Sequence, residues 1–204
     1  MVVDLDFGLN EGMKMKLIFP FLAVFVLFGC ATGGGVYSDA NEHKILGDKW
    51  NNTDSNKAAA YMVDSVLKEA WLSDFLKKNG KKPVVIVDEI ENNTSEHIDT
   101  TALSSSIRSK LINSRKVRFV NAKQRTKILK ELASQAKNAR ASTRKRKGQQ
   151  TGADYLLTGT LSSIVAQQGD YKTVTYQVDM ILTHLETTEI EWNGNYKIKK
   201  SFKR

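Results

Sequence analysis

An α/β domain behind an exported leader is the architecture that the sequence predicts, and three observations predict it. Strand-like and helix-like segments alternate from Val84 to Ala136, the pattern of a layer built with crossover connections. Three consecutive segments of period two, joined by two tight turns, fill the chain from Ala153 onward and imply an antiparallel meander with one dry and one wet face. An apolar run near the start ends at the sole cysteine, Cys30.

That run, Leu17–Phe28 within "KLIFPFLAVFVLFGCATGGG", is shorter than the roughly 20 apolar residues a membrane-spanning helix needs, and it fits the hydrophobic region of an export signal. Lys14 and Lys16 supply its positive flank, whereas the acidic "MVVDLDFGLNEG" does not suit a signal, so Met13 or Met15 is the expected start. "LFGC", Leu27 to Cys30, resembles a bacterial lipobox. The resemblance implies cleavage after Gly29 and acylation of Cys30, and two or more acyl chains anchor a protein stably. The other reading is a cysteine that merely follows a signal, buried or paired between chains. Residues 1–29 are thus expected to be a signal peptide, 30–46 a lipidated cysteine with a short polar tether, and 47–204 the folded domain. From Cys30 to about Ile45 such a tether spans at most ~50 Å.

Within the domain, Thr53, Asp54 and Ser55 offer N-caps to a long helix with Ala59, Met62, Val63, Val66 and Ala70 on one face. Leu67, Trp71, Leu72, Phe75 and Leu76 widen that face, and Gly80 is its stop. "PVVIV" is a buried strand, Val84 to Val87. Leu103, Ile107 and Leu111 mark a second helix capped by Asp99 or Thr100, and "KVRFV" a short strand. Asn121 caps a third helix whose Ile128, Leu129, Leu132 and Ala136 form a stripe expected to be buried. The meander follows: "ADYLLTGTLSSIVAQ", then Val174, Tyr176, Val178, Met180 and Leu182 alternating with polar neighbours, then Ile190, Trp192, Tyr196 and Ile198 doing the same.

The chain carries 31 basic and 22 acidic residues, a formal charge of +9. Export argues against nucleic acid as the counter-charge and leaves anionic lipid, wall polymer or an acidic protein surface. With one cysteine and that one assigned to lipid, burial and hydrogen bonding must hold the fold. No motif for chemistry emerges. His43, His97 and His184 lack a second ligand at a metal-binding interval, no serine sits in a nucleophile elbow, and neither metal nor cofactor is expected. Asp88, Glu89 and Glu91 cluster after the first strand, where α/β proteins place sites, but read more simply as a solvated strand end. Arg140, Arg144, Lys145, Arg146 and Lys147 form the strongest electrostatic feature, either a solvated surface or a patch that docks a partner or the wall.

Four stretches together resemble the penicillin-binding protein activator LpoB family: "DKWNNTDSNKAAAYMVDSVLKEAWL", "KPVVIVDEIENNTSEHIDTTALSSSIRSKLINSRKVRFV", "KILKELASQA" and "TGADYLLTGTL". Within them "IENNTSEHID" sets Ile90, Asn92, Thr94, Glu96, His97, Ile98 and Asp99 in the family's pattern; "GADYLLTG" is shared with TolB-like domains. The resemblance implies a small mixed sheet flanked by helices, like the amino-terminal domain of TolB. It further implies a non-catalytic outer-membrane lipoprotein that binds a bifunctional penicillin-binding protein and stimulates peptidoglycan synthesis. Ala31 after Cys30, in place of an aspartate, points by analogy to the outer membrane. The tether is shorter than the linkers of well-studied members. A structural or assembly lipoprotein of an envelope or secretion complex is the alternative expectation.

Overall fold

A computed structural model describes residues 47–146 and 148–203. The stretches expected to be a signal peptide and a tether, with Cys30 and His43, lie outside the described residues, as does Lys147. Among the described residues four α-helices and five strands follow one another as α1 (Asn52–Lys68), α2 (Ala70–Asn79), β1 (Val84–Asn93), α3 (Thr101–Ser114), β2 (Arg118–Phe119), a 3-10 turn (Ala122–Gln124), α4 (Arg125–Asn138), β3 (Tyr155–Gln168), β4 (Tyr171–His184) and β5 (Ile190–Lys203). The strands form one mixed sheet in the order β2-β1-β3-β4-β5. β1 runs parallel to β2 and β3, while β3, β4 and β5 form the antiparallel meander. The α/β class and the order of layers are as the sequence predicts.

The core lies between the helices and one face of the sheet. α1 packs on α3 and β5, and α3 packs on β1. The stripe Ala59, Met62, Val63 and Val66 of α1 is buried, as are Leu103, Ile107 and Leu111 of α3. Every second residue of β4 from Val174 to Leu182 turns onto them and is buried. Gly159, in the middle of β3, sits where an added Cβ would come within 2.9 Å of the Asp179 carbonyl, so the β3–β4 contact requires glycine.

Several elements depart from expectation, each for a visible reason. The first helix is two, because Glu69 is extended (φ −72°, ψ 157°). The indole N–H of Trp71 donates to the Val66 carbonyl at 2.7 Å, supplying a partner in place of the helical one. The break swings Trp71 and Phe75 against the Tyr155 ring, at centroid distances of 5.0 and 5.6 Å. The N-cap of α1 is Asn51, whose carboxamide accepts from the Asp54 N–H in a reciprocal capping box; Thr53, Asp54 and Ser55 lie inside the helix. Strand β1 outruns Val84–Val87 and continues to Asn93 across an irregularity between Val87 and Ile90, so Asp88 and Glu89 sit on a bulge within the strand. Around α3, Thr100 turns its hydroxyl to the Ile90 carbonyl (2.5 Å), and Asp99 accepts from the Thr101 N–H (2.9 Å).

A register shift beside Leu182 breaks the alternation of β5 at its start, leaving Ile190 63% exposed while Trp192 is buried. The inward side of that strand ends at a charged residue, Lys200, which is buried. On α4, expected to bury a stripe, no residue is buried: Ile128 and Leu129 are 44% and 42% exposed. Periodicity marks an apolar face, but nothing in the described residues packs over this one closely enough to bury it.

Candidate interaction surfaces

The motif loop "IENNTSEHID" carries its own scaffold. Asn92, near the end of β1, donates to the Glu96 carbonyl (2.8 Å) and accepts from the amide and the hydroxyl of Thr94 (3.0 and 2.8 Å). Thr94 in turn accepts from the Glu96 N–H (3.1 Å). This turn aims the Glu96 carboxylate at Tyr176 in the middle of β4, whose hydroxyl donates to it and lies 3.1 Å from the Asp48 carbonyl. Burial, together with the hydrogen bond and charge of Glu96, pushes the Tyr176 phenol far above its ordinary range. A phenol so fixed stays protonated and acts as a brace.

The segment before α1 closes over the same place. Trp50 packs edge-on to Tyr176 at 5.4 Å and donates to Ser55 Oγ (2.8 Å); Lys172 pairs with Asp48 (2.5 Å). Lys200 donates to the Lys49 carbonyl (2.6 Å) and pairs with buried Asp54 (2.5 Å). The family-pattern residues Asn92, Thr94 and Glu96 therefore fasten their loop to Tyr176, while Lys172, Lys200 and Trp50 fasten the domain's entry segment to the same part of the sheet. His97, in the same loop, is exposed. Asp99 is held below its usual carboxylate range, first by the Thr101 hydroxyl and amide and least by the charge of His97.

At the His184 end of β4 lies an open cleft of about 500 Å³. Trp71, Phe75 and Tyr155 contribute aromatic rings to it, and Asp74, Asp154, Glu186, Glu189 and Glu191 contribute carboxylates. His184 lies edge-on to Tyr155 at 5.1 Å and accepts from the Thr187 N–H at 3.2 Å. Asp154 accepts from the Val84 N–H (2.7 Å), joining the start of β3 to β1. Burial, with the charges of Glu191 and Asp154, raises the Tyr155 phenol to about 12. No single stretch of sequence signals this cleft, since its lining comes from α2, the start of β3, the end of β4 that pairs with it, the following turn and β5.

The remaining sequence candidates are dispersed. Glu89 pairs with Lys123 across the β1 bulge, while the Asp88 carboxylate accepts from the Glu89 N–H (2.9 Å). No group of three or more potential metal ligands occurs among the described residues. Arg140, Arg144, Lys145 and Arg146 are exposed in the loop after α4. That loop folds back on the helix end, Lys145 N–H donating to the Gln135 side chain (3.3 Å) and Arg144 to the Ala136 carbonyl (3.4 Å).

The model of the peptidoglycan-synthase activator LpoB family matches residues 54–198, a span that takes in the motif loop, the cleft and α4. The chain belongs to the LpoB family. Among solved structures, it aligns with the LpoB C-terminal domain from Salmonella enterica at 22% identity and TM-score 0.41, over 71% of this chain and 98% of that one. The LpoB C-terminal domain from Escherichia coli aligns with the same values, and the NMR structure of E. coli LpoB at 18% identity and TM-score 0.38, over 92% and 94% of the two chains. No curated protein matches the sequence. Lys200, which closes the brace around Asp54, lies two positions beyond the matched span in this LpoB-family chain.

Proposed function

We propose that the chain is a lipoprotein anchored through Cys30 on the periplasmic side of the outer membrane, where it binds and activates a penicillin-binding protein without catalysing a step itself. The observation that carries this reading is the match to a synthase-activator family across almost the whole folded domain. Activation in trans requires the domain to bind the active synthase conformation more tightly than the resting one; equal affinity for both shifts nothing. A domain for such work needs a fixed shape, and the bracing of the motif loop and entry segment onto β4 and β5 is consistent with that need.

The test is capture of the tagged chain from detergent-solubilised membranes, followed by glycan polymerisation by the recovered synthase with and without added chain. Recovery of a bifunctional penicillin-binding protein whose polymerisation rises with the chain is the expected result. Recovery only of the chain itself or of envelope-assembly proteins would replace this reading with that of a structural lipoprotein, which the short tether favours. The anchor has its own check. Mass spectrometry of the membrane fraction is expected to show an acylated amino-terminal Cys30, and an unmodified peptide spanning Gly29-Cys30 in the mature protein would remove it.

A further inference from the structure

The chain's net charge is not spread evenly along its sequence. Residues 122–150 hold ten of the 31 basic residues and one of the 22 acidic residues, so this segment carries +9 and the rest of the chain is balanced at 21 against 21. The segment is α4, the short 3-10 turn that leads into it and the loop that folds back on its end. On α4 the charges Arg125, Lys127, Lys130 and Lys137 share the helix with aliphatic Ile128, Leu129 and Leu132, of which the first two are nearly half exposed. A basic helix whose aliphatic side is left unburied by its own protein has the make-up of one that lies in a lipid–water interface.

We propose that α4 and the basic loop after it dock on an anionic phospholipid surface, with Ile128 and Leu129 entering the headgroup boundary and Arg140, Arg144, Lys145 and Arg146 meeting the headgroups. Three observations choose lipid over other anionic partners. An anionic wall polymer satisfies the charges but offers no apolar layer in which two adjacent aliphatic side chains can be buried. The acidic cleft of a second copy matches the charge, yet about 500 Å³ cannot receive a helix of 14 residues, which is roughly 21 Å long. The third is proximity, which rests on the anchor reading above: a tether of ~50 Å at most keeps the domain beside the membrane that holds Cys30. A polybasic patch next to an acyl anchor is a second membrane signal, and it would hold the domain in one orientation on the surface.

The experiment uses the full chain reconstituted into vesicles of phosphatidylcholine alone or of phosphatidylcholine and phosphatidylglycerol in equal parts. Ile128→Cys carries an environment-sensitive dye, and Ser73→Cys, on α2, carries the same dye as a control. Labelling of the unsubstituted chain reports whether the Cys30 thiol is free, so failure of the anchor and failure of docking are read separately. The expected result is a blue shift and strong quenching by lipid-borne quencher for the dye at position 128 in anionic vesicles at low salt. High salt, or Arg144→Glu with Lys145→Glu and Arg146→Glu, is expected to return the signal to its level in neutral vesicles. The proposal is overturned if the dye at position 128 reads alike in both vesicle types, or if the dye at position 73 shifts as much. It is equally overturned if the shift requires not anionic lipid but added synthase, peptidoglycan fragments or a rising density of the chain itself.

Discussion

The ammonium of Lys200 lies 2.5 Å from the carboxylate of Asp54, a residue 146 positions earlier, and both side chains are more than nine-tenths buried. Lys200 also donates to the Lys49 carbonyl, so one side chain fastens the last strand to the cap of the first helix. Removing one partner of a buried pair leaves an uncompensated charge, which costs about 3–5 kcal/mol. Lys200→Met is therefore expected to lower the urea midpoint strongly, and Lys200→Met with Asp54→Asn to recover a good part of the loss. A single substitution that left the midpoint unchanged would show that the pair does not hold the entry segment.

Gly194 lies under the ring of Trp192, where an added Cβ would fall 2.2 Å from Cζ2. Gly194→Ala must displace that indole, which is buried and donates to Ser65 Oγ at 3.3 Å. A loss of about 1–3 kcal/mol is expected for such overpacking. It should appear as a lower thermal midpoint together with altered tryptophan fluorescence of the folded protein.

Trp71 both fills the space beside Tyr155 and caps the broken end of α1. Trp71→Phe keeps much of the packing but leaves the Val66 carbonyl without its donor, at a cost of about 1–3 kcal/mol for a buried unsatisfied group. Denaturant unfolding of this variant beside Phe75→Leu, which disturbs only packing, separates the two contributions.

Alkaline stability follows from the two buried phenols. Tyr155 is raised to about 12 and Tyr176 further, against about 10 in the unfolded chain. The folded state then holds both protons where the unfolded state releases them. The stability contribution is complete below about pH 10 and is lost as pH rises from there through the folded values. Stability measured against pH is expected to fall across this window, and less steeply in Tyr176→Phe. Phenolate absorbance should show these two residues ionising late, with unfolding; early ionisation of all the tyrosines would contradict their placement.

The stripe of α4 and that of α3 read alike in sequence but differ in energy. Ile107, at 1% exposure, is expected to cost about 2–5 kcal/mol on truncation to alanine. Leu129→Ala, at 42% exposure, is expected to stay within about 0.5 kcal/mol of the parent in water. Comparable losses at both positions would mean that α4 is covered in solution.

The sequence by itself determined the α/β class, the order of its elements, the meander and the inward residues of β4, because periods of two and 3.6 are local properties of the backbone that each short stretch displays. It also marked the motif around Asn92, Thr94 and Glu96, and the basic residues after Asn138. Only the tertiary structure decided what those features do. The motif became a brace when β4 brought Tyr176 to Glu96, and Lys200 became a core residue because Asp54 waited across the fold. Glu69 interrupts a helix that propensity alone would have carried through it, and Trp71 caps the break. The acidic cleft took its walls from segments with no shared signal. Periodicity says which face of α4 is apolar, and only the packing of every other element decides whether that face is left open. Each of these outcomes depends on a partner distant in sequence, and a contact of that kind leaves no mark on the local pattern.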